Sequence, residues 1–169
     1  MKCALIGCGR IATNHVRAIV NNKLDLVAVC DICPENMEGL LVKHSLETNK
    51  SIKRYEDYKK MIEENEIELV GIATESGIHA EIALFCIDKG VNVIIEKPMA
   101  MNMADADEII RRSEEKGVFV SACHQNRFNV AVQKTRKALE QGRFGKISHG
   151  SINVRWNRNK GYYDQALWR

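Results

Sequence analysis

Short apolar runs alternate along this chain with longer stretches that have helical periodicity. The runs indicate strands because they are rich in β-branched residues and are bounded by polar or glycine-containing segments. They cover residues 2–6, 25–30, 51–54, 68–73, 91–95 and 118–122, and helices are predicted between them at 11–22, 34–44, 56–65, 78–89 and 103–116. Strands that are apolar along their length suit a parallel sheet covered on both faces. The pattern therefore predicts a doubly wound α/β domain in residues 1–122.

The pattern changes after residue 122. A polar stretch leads into a helix predicted at 129–141, which Gly142 ends, in keeping with the preference for glycine just past a helix. The alternation from Ile147 to Trp156 then predicts a strand. Residues 123–169 are interpreted as a linker, a helix and the first strand of a second α/β domain, which is incomplete at Arg169.

Composition narrows the class of protein. Hydrophobic residues make up 45% of the chain and charged residues 28%, which is ordinary for a soluble globular protein. No run approaches the roughly 18 to 20 apolar residues of a membrane span, and no basic leader precedes an apolar segment. We therefore expect a cytoplasmic protein without a membrane partner.

The six cysteines are expected to be reduced. Cys3, Cys30 and Cys86 lie in apolar runs and are predicted to be small core residues. Cys30 and Cys33 have the spacing of a redox pair or of half a zinc site, but no second pair of ligands follows at a matching distance. The spacing of the residues therefore predicts no metal site.

Charge is spread unevenly along the chain. Residues 124–169 contain ten lysines and arginines against two acidic residues, a net charge of +8, whereas residues 1–123 carry −5. Such asymmetry indicates an anionic partner near the C-terminal part. Nucleic acid, nucleotide phosphates and an acidic sugar all have the required charge.

A glycine-rich turn follows the first strand and opens the first helix. Its sequence, Gly7-Cys-Gly-Arg-Ile-Ala12, matches the dinucleotide-binding fingerprint of the Rossmann fold in the context that this fingerprint requires. Gly7 permits a tight turn, and the missing Cβ of Gly9 lets the backbone approach a pyrophosphate. The phosphates would face the start of the helix, where the dipole favours anions. The predicted cofactor-binding residues of this turn are Gly7, Cys8, Gly9, Arg10 and Ile11.

An acidic residue at the end of the second strand selects the cofactor. Asp31 lies 24 residues after Gly7, close to the distance at which a carboxylate binds the adenine ribose hydroxyls. It would repel a 2′-phosphate, and neither Ile32 nor Cys33 supplies a compensating arginine. NAD is therefore favoured over NADP. Ile32, next to Asp31, is also predicted to contact the cofactor. Alternatives are that Asp31 only caps the next turn, or that the loop belongs to an S-adenosylmethionine methyltransferase, which the tight strand–turn–helix arrangement disfavours.

A lysine follows the fifth strand in Glu96-Lys97-Pro98. The carboxyl edge of a parallel sheet is where open α/β folds bind their ligands, and a lysine there can take a hydroxyl proton. The alternative is an ordinary surface charge paired with Glu96.

Together these motifs resemble the Gfo/Idh/MocA oxidoreductases, named for glucose–fructose oxidoreductase and inositol dehydrogenase. The resemblance rests on Gly7-x-Gly-x-x-Ala12, Asp31, Ala73-Thr74, His79 and Glu96-Lys97-Pro98. It implies a Rossmann domain followed by an α/β domain on a large open sheet, and a homo-oligomer of the full-length protein. It also implies that Lys97 is catalytic and that Glu96, Thr74, His79 and Asn126 contact or border NAD. His79 is alternatively a capping or packing residue.

The chain differs from the family pattern at the loop of residues 74–76, and its C-terminal residues resemble one branch of the family. The family commonly has Thr-Pro-Asn where this chain has Thr74-Glu75-Ser76, so the contacts of this loop are open. Residues 155–158 and 162–169 resemble the branch that acts on UDP-N-acetylglucosaminuronic acid in bacterial polysaccharide synthesis. The substrate residues implied are Arg155, Trp156, Arg158, Tyr162 and Tyr163. Their interleaved bases and aromatics are also typical of single-strand nucleic-acid binders, although no nucleic-acid module surrounds them.

The sequence thus predicts an NAD-dependent dehydrogenase that oxidises a secondary alcohol of a sugar or nucleotide sugar. In the family the lysine works with further residues, including a histidine, which would lie beyond Arg169. The 169-residue chain is therefore expected to bind NAD but to turn over little. The alternative from another class is a non-catalytic NAD-binding regulatory or interaction module.

Overall fold

A computed structural model describes residues 1–164. The chain divides into two compact units, the first spanning Met1–Cys123 and the second beginning at His124. The strands of the first unit are β1 Lys2–Ile6, β2 Asp25–Cys30, β3 Lys53–Tyr55, β4 Leu69–Ile72, β5 Asn92–Ile95 and β6 Val120–Ala122. Its helices are α1 Ala12–Asn21, α2 Pro34–Lys43, α3 Tyr58–Glu64, α4 His79–Asp88 and α5 Met103–Lys116, with a 3₁₀ turn at Ser76–Ile78.

The six strands form one parallel sheet in the order β3-β2-β1-β4-β5-β6. This order confirms the predicted doubly wound Rossmann architecture. The chain proceeds outward from β1 to β3, crosses back to place β4 beside β1, and then proceeds to β6 on the other side. The crevice outside the carboxyl ends of β1 and β4 is the position at which such sheets bind ligands.

Alternation along β1 divides the core into two clusters. Ala4 and Ile6 belong to one cluster, while Cys3 and Leu5 belong to the other. Because successive side chains of a strand point to opposite faces, the sheet is covered by apolar residues on both sides. Helix α4 packs into the first cluster through Ala80, Ile82, Ala83, Cys86 and Ile87.

The buried cysteines agree with the prediction that they are core residues. Cys3, Cys30 and Cys86 are buried, whereas Cys33 is exposed. Burial, followed by the nearby Asp31 carboxylate, raises the pKa of Cys30 to about 12. Cys30 and Cys33 therefore occupy different environments, one inside the sheet packing and the other on the surface.

The second unit has little regular structure. A 3₁₀ turn at Gln125–Phe128 precedes helix α6 Val130–Glu140, and a four-residue helix, α7, covers Lys160–Tyr163. Gly142 adopts a φ of +67° just past α6, as predicted for the residue that ends this helix. None of residues 124–164 is buried.

The strand predicted from Ile147 to Trp156 does not form. Residues 147–159 carry neither helix nor strand. A strand is stabilised by hydrogen bonds to a neighbouring strand. Residues 124–164 contain no second strand with which residues 147–156 could pair. The alternating pattern is present in the sequence, but the alternation alone does not create a sheet.

No helix among residues 1–164 is both long enough and apolar enough to cross a membrane.

Candidate functional site

The predicted cofactor and catalytic residues of the first unit lie where β1, β2, β4 and β5 end. Because these strands are parallel, their carboxyl ends meet at one edge of the sheet. Gly7 follows β1, Asp31 follows β2, Thr74 comes two residues after β4, and Glu96 follows β5. The structure therefore brings together residues that are separated by up to 89 positions in the sequence.

The glycine turn is shaped by its neighbours. Gly7 has a φ of +89°, and its N–H donates to the carbonyl of Cys30 over 2.8 Å. A Cβ on Gly7 would lie 2.6 Å from the carbonyl carbon of Ala73, so the loop after β4 leaves no room for a side chain. A Cβ on Gly9 would meet no atom within 4 Å. Gly9 thus borders open space that a pyrophosphate can approach.

Helix α1 begins beside this space. Ala12 is fully buried, and its N–H donates to the carbonyl of Gly9 over 3.1 Å. The first turn of the helix contains no acidic residue, so no side-chain carboxylate there opposes an anion at the positive end of the helix dipole. Arg10 and Ile11 are exposed at the same end. The arrangement fits the diphosphate of a dinucleotide.

Asp31 binds protein groups with both carboxylate oxygens. Oδ2 accepts a hydrogen bond from the Cys8 N–H over 2.7 Å, and Oδ1 accepts from the N–H of Cys33 over 2.9 Å and from Nδ2 of Asn36 over 3.1 Å. An ionised carboxylate has about four acceptor positions, so these three bonds leave one for a ribose hydroxyl. Asp31 does cap the following turn, as the alternative interpretation proposed, and it also holds the glycine loop.

The side chain of Cys8 points away from this polar surface. Cys8 is buried, and its thiol donates to the carbonyl of Cys30 over 3.6 Å. Burial, with smaller contributions from Asp31 and Cys30, raises the pKa of this thiol to about 12. Cys8 therefore presents no thiolate to a cofactor, and its backbone N–H is already bound by Asp31. Ile32, which follows Asp31 in the sequence, is an apolar residue that is 84% exposed.

A buried histidine ties the loop after β4 to the lysine segment. His79 opens α4 and is 1% exposed. Its Nδ1 lies 2.8 Å from the carbonyl oxygen of Pro98, and its Nε2 lies 3.2 Å from the carbonyl oxygen of Thr74. Carbonyl oxygens only accept, so the ring donates to at least one of them. These contacts agree with the interpretation of His79 as a packing residue. The prediction that His79 borders NAD stays a prediction.

The neighbouring Thr74 is partly exposed. Its hydroxyl donates to the Glu75 carbonyl over 3.3 Å.

Lys97 is exposed at the same edge, and the Lys97–Pro98 peptide bond is cis. The carboxylate of Glu96 is occupied by another partner, because its Oε1 lies 3.1 Å from Nε2 of His15. Its Oε2 accepts from the Lys97 backbone N–H over 3.4 Å. Within residues 1–164, Lys97 belongs to none of the ion pairs, so the interpretation of a simple Glu96–Lys97 surface pair does not hold.

A third side chain joins His15 and Glu96. The donor atoms of His15, Glu96 and Cys123 all lie within 4.8 Å of one another, and each residue is partly buried. Burial, followed by the charge of Glu96 and a hydrogen bond to it, raises the pKa of the Cys123 thiol to about 11. This cluster is not predictable from the sequence, since positions 15, 96 and 123 share no recognisable spacing.

The remaining predicted residues lie in the second unit. Asn126 sits in the 3₁₀ turn and accepts at Oδ1 from Nδ2 of Asn129 over 3.4 Å. The Arg158 guanidinium carbon lies 4.9 Å from the ring centre of Trp156 and 4.6 Å from that of Tyr162. Tyr162 and Tyr163 meet edge to face with ring centres 5.3 Å apart.

The structure therefore groups most of the predicted substrate residues around one arginine. Arg155 is exposed nearby in the sequence. Residues 165–169, which end the predicted substrate motif, lie outside the described residues.

A model of the Gfo/Idh/MocA oxidoreductases, described as an oxidoreductase family with an NAD-binding Rossmann fold, matches residues 1–124. The chain belongs to this family, and NAD is its cofactor. The open space at Gly9, the acid-free start of α1 and the remaining acceptor position of Asp31 fit that dinucleotide.

Two solved structures are similar to the whole chain. The WlbA dehydrogenase of Bordetella pertussis, in complex with NADH and UDP-GlcNAcA, is 34% identical with a TM-score of 0.90, over 99% of this chain and 50% of that one. The WlbA dehydrogenase of Chromobacterium violaceum, with the same two ligands, is 31% identical with a TM-score of 0.92, over 100% and 48%.

A named relative is similar over most of the chain. Inositol 2-dehydrogenase of Salmonella typhimurium is 27% identical over 155 residues, which are 89% of this chain and 45% of that protein. The chain thus spans about half the length of the relatives that it matches.

Proposed function

We propose that the protein containing this chain oxidises a secondary alcohol of a sugar, and that its substrate is a UDP-linked N-acetylhexosaminuronic acid oxidised at C3. The observation that carries the proposal is the extent of the likeness to the two WlbA structures, which reaches 99–100% of the chain and so includes the basic, aromatic tail. Those proteins were crystallised with UDP-GlcNAcA. The match to inositol 2-dehydrogenase stops at 89%.

The cofactor half of the proposed site belongs to the first unit. The amides of residues 9–11 and the start of α1 would hold the pyrophosphate, since the N–H groups of Gly7 and Cys8 already donate to Cys30 and Asp31, and Asp31 would bind the adenine ribose. Bound NAD supplies the hydride acceptor of the oxidation. His79 contributes indirectly, because it connects the loop at Thr74 to the segment at Pro98.

Lys97 is the proposed catalytic base. Lys97 lies just after β5 at the carboxyl edge of the sheet and is an exposed residue, and its neighbour Glu96 contacts His15 instead of the lysine amine. An amine without an ion-pair partner is available to take the hydroxyl proton of the alcohol. A positioned acid–base group contributes about 10²- to 10⁴-fold to a rate.

The tail is the proposed contact with the nucleotide part of the substrate. Residues 124–169 carry a net charge of +8, which complements a diphosphate and a carboxylate. Arg155 and Arg158 have the planar donor geometry that binds both kinds of anion. The rings of Trp156, Tyr162 and Tyr163 offer stacking surfaces for a base.

The test measures NADH formation by the complete protein with UDP-N-acetylglucosaminuronic acid and, in parallel, with myo-inositol and with UDP-N-acetylglucosamine. We expect turnover of the uronic acid, and we expect Lys97→Met to lower kcat about 10²- to 10⁴-fold while the KM for NAD is unchanged. Lys50→Met is the matched control, because Lys50 is an exposed lysine in the loop before β3.

Each part of the proposal has its own contradicting result. Faster turnover of myo-inositol than of the uronic acid would overturn the proposed substrate. Equal rates for Lys97→Met and the control would overturn the proposed role of Lys97 as the base. NAD binding without turnover of any sugar would favour the alternative of a non-catalytic NAD-binding module.

A further inference from the structure

The side chains of His15, Glu96 and Cys123 converge on one point from three different elements. His15 lies in α1, Glu96 directly follows β5, and Cys123 directly follows β6. Among residues 1–164 this is the one place where three donors of this kind have their ligand atoms within 4.8 Å of one another.

The site is sheltered. The side chains of His15 and Glu96 are 11% and 13% exposed, and Cys123 is partly buried. The backbone under the site is fixed by sheet hydrogen bonds, since the Glu96 N–H donates to Ile72 over 2.9 Å and the Cys123 N–H donates to Ile95 over 2.8 Å. Two of the three donors therefore stand on a rigid edge, as a preorganised ligand site requires.

The separations suit a tetrahedral cation. Zinc bonds of about 2.0–2.3 Å to nitrogen, oxygen and sulfur place neighbouring ligand atoms about 3.3–3.6 Å apart. His15 Nε2 and Glu96 Oε1 are 3.1 Å apart, so they need to separate by only a few tenths of an ångström. The Sγ of Cys123 lies within 4.8 Å of both, so it needs to approach them by no more than about 1.2 Å to reach the spacing of zinc ligands.

The donor set selects the class of cation. One imidazole, one carboxylate and one thiolate form a mixed set that suits borderline-soft divalent ions, whereas Mg²⁺ and Ca²⁺ prefer oxygen ligands alone. A carboxylate and a thiolate together balance the charge of a divalent ion, and the imidazole binds as a neutral ligand. The thiol proton would leave to solvent when the metal–sulfur bond forms.

We propose that His15, Glu96 and Cys123 form a three-ligand site for one Zn²⁺ ion, with the fourth position open to a water molecule. Three protein ligands with an open position is the arrangement of zinc sites that interact with small molecules. The site lies one residue from Lys97, so an ion there would place a positive charge beside the proposed base. The inference does not depend on the substrate proposed above, because it concerns metal binding by this chain alone.

The test is a titration of the chelator-treated chain with Zn²⁺ by calorimetry and with Co²⁺ by absorption spectroscopy. We expect one equivalent of either ion, and a near-ultraviolet charge-transfer band that shows a thiolate bound to cobalt. Cys123→Ser and His15→Gln should each weaken binding by at least about tenfold and remove or alter that band. Cys33→Ser is the matched control, since Cys33 is the exposed cysteine, and it should bind as the unaltered chain does.

Other outcomes would overturn the proposal. These are the absence of stoichiometric binding, a cobalt spectrum without the thiolate band, or a loss of binding in Cys33→Ser while Cys123→Ser retains it. Thermal melting without metal shows whether His15→Gln is folded, and the zinc-dependent rise in Tm of the unaltered chain should be missing in Cys123→Ser. A rise of equal size in Cys123→Ser would leave His15 and Glu96 as a hydrogen-bonded pair with no metal function.

Discussion

The backbone N–H of Cys8 donates to Oδ2 of Asp31 over 2.7 Å, across 23 positions of sequence. The carboxylate proposed to bind the adenine ribose is thereby also a part of the phosphate-binding loop. A change at Asp31 should affect the loop and the cofactor together.

Asp31→Asn tests this double role. The substitution removes the charge that strengthens the bonds from Cys8 and Cys33, so we expect a loss of about 1–3 kcal/mol in the free energy of unfolding. The stabilisation by NAD, about 2.7 kcal/mol at 100 times its Kd, should shrink as well. Urea denaturation with and without NAD measures both effects. Asp107→Asn, at an exposed position of α5, is the control, and equal behaviour of the two variants would refute the role of Asp31.

The two glycines of the loop should respond differently to alanine. Gly7→Ala puts a Cβ 2.6 Å from Ala73 at a φ of +89°, so we expect a destabilisation of about 1–3 kcal/mol from the backbone strain alone. Gly9→Ala meets no atom within 4 Å, so its stability should change by less than about 1 kcal/mol while its affinity for NAD falls. Thermal melts and NAD titrations of both variants make the comparison. A stable Gly7→Ala, or a Gly9→Ala with full NAD affinity, would contradict this division of roles.

His79→Leu should loosen the connection between the two loops. The substitution leaves the carbonyls of Thr74 and Pro98 without their buried donor, and an unpaired buried acceptor costs about 1–3 kcal/mol. We expect this loss in urea denaturation, with partial recovery in His79→Gln, whose amide can still donate. His149→Leu, at an exposed histidine, should be neutral. Unchanged stability of His79→Leu would show that the two contacts are unimportant.

Thiol reactivity should follow burial and the pKa of each cysteine. A pKa raised to about 12, as for Cys8, Cys30 and Cys86, leaves only about one thiolate in ten thousand at pH 8. Exposed Cys33 should therefore react first with a thiol reagent. Cys123, with a pKa of about 11, should react about tenfold faster for each unit of pH between 8 and 10. Mass spectrometry of the labelled peptides identifies the order, and early labelling of Cys8 would contradict it.

The strands formed by apolar runs are predictable from the sequence. Residues 2–6 and 25–30 were predicted as strands, and the structure has strands at Lys2–Ile6 and Asp25–Cys30. Strand β3 was predicted at 51–54 but lies at Lys53–Tyr55, because a short polar strand at the edge of the sheet carries little hydrophobic pattern. Residues 147–156 have the pattern of a strand without a neighbour to pair with, so the local signal was insufficient.

The site was predictable in part, for a similar reason. Gly7, Asp31 and Lys97 stand next to strand ends, and strand ends can be read from the chain. The partners His15 and Cys123 could not be found in this way, because their meeting with Glu96 depends on how α1, β5 and β6 pack. The hydrogen bond from Cys8 to Asp31 likewise exists only once β1 and β2 are side by side.

The buried ring of His79 holds two segments that are far apart in the sequence. The ring fixes the loop after β4 at Thr74 and, through Pro98, fixes the segment that carries Lys97. Residues 75–78 lie between Thr74 and His79, and they include Glu75 and Ser76, where the chain departs from the common family motif. Side chains within this short stretch can therefore differ from the family motif without moving its two ends, so the departure at Glu75 and Ser76 leaves the segment at Pro98 held as before.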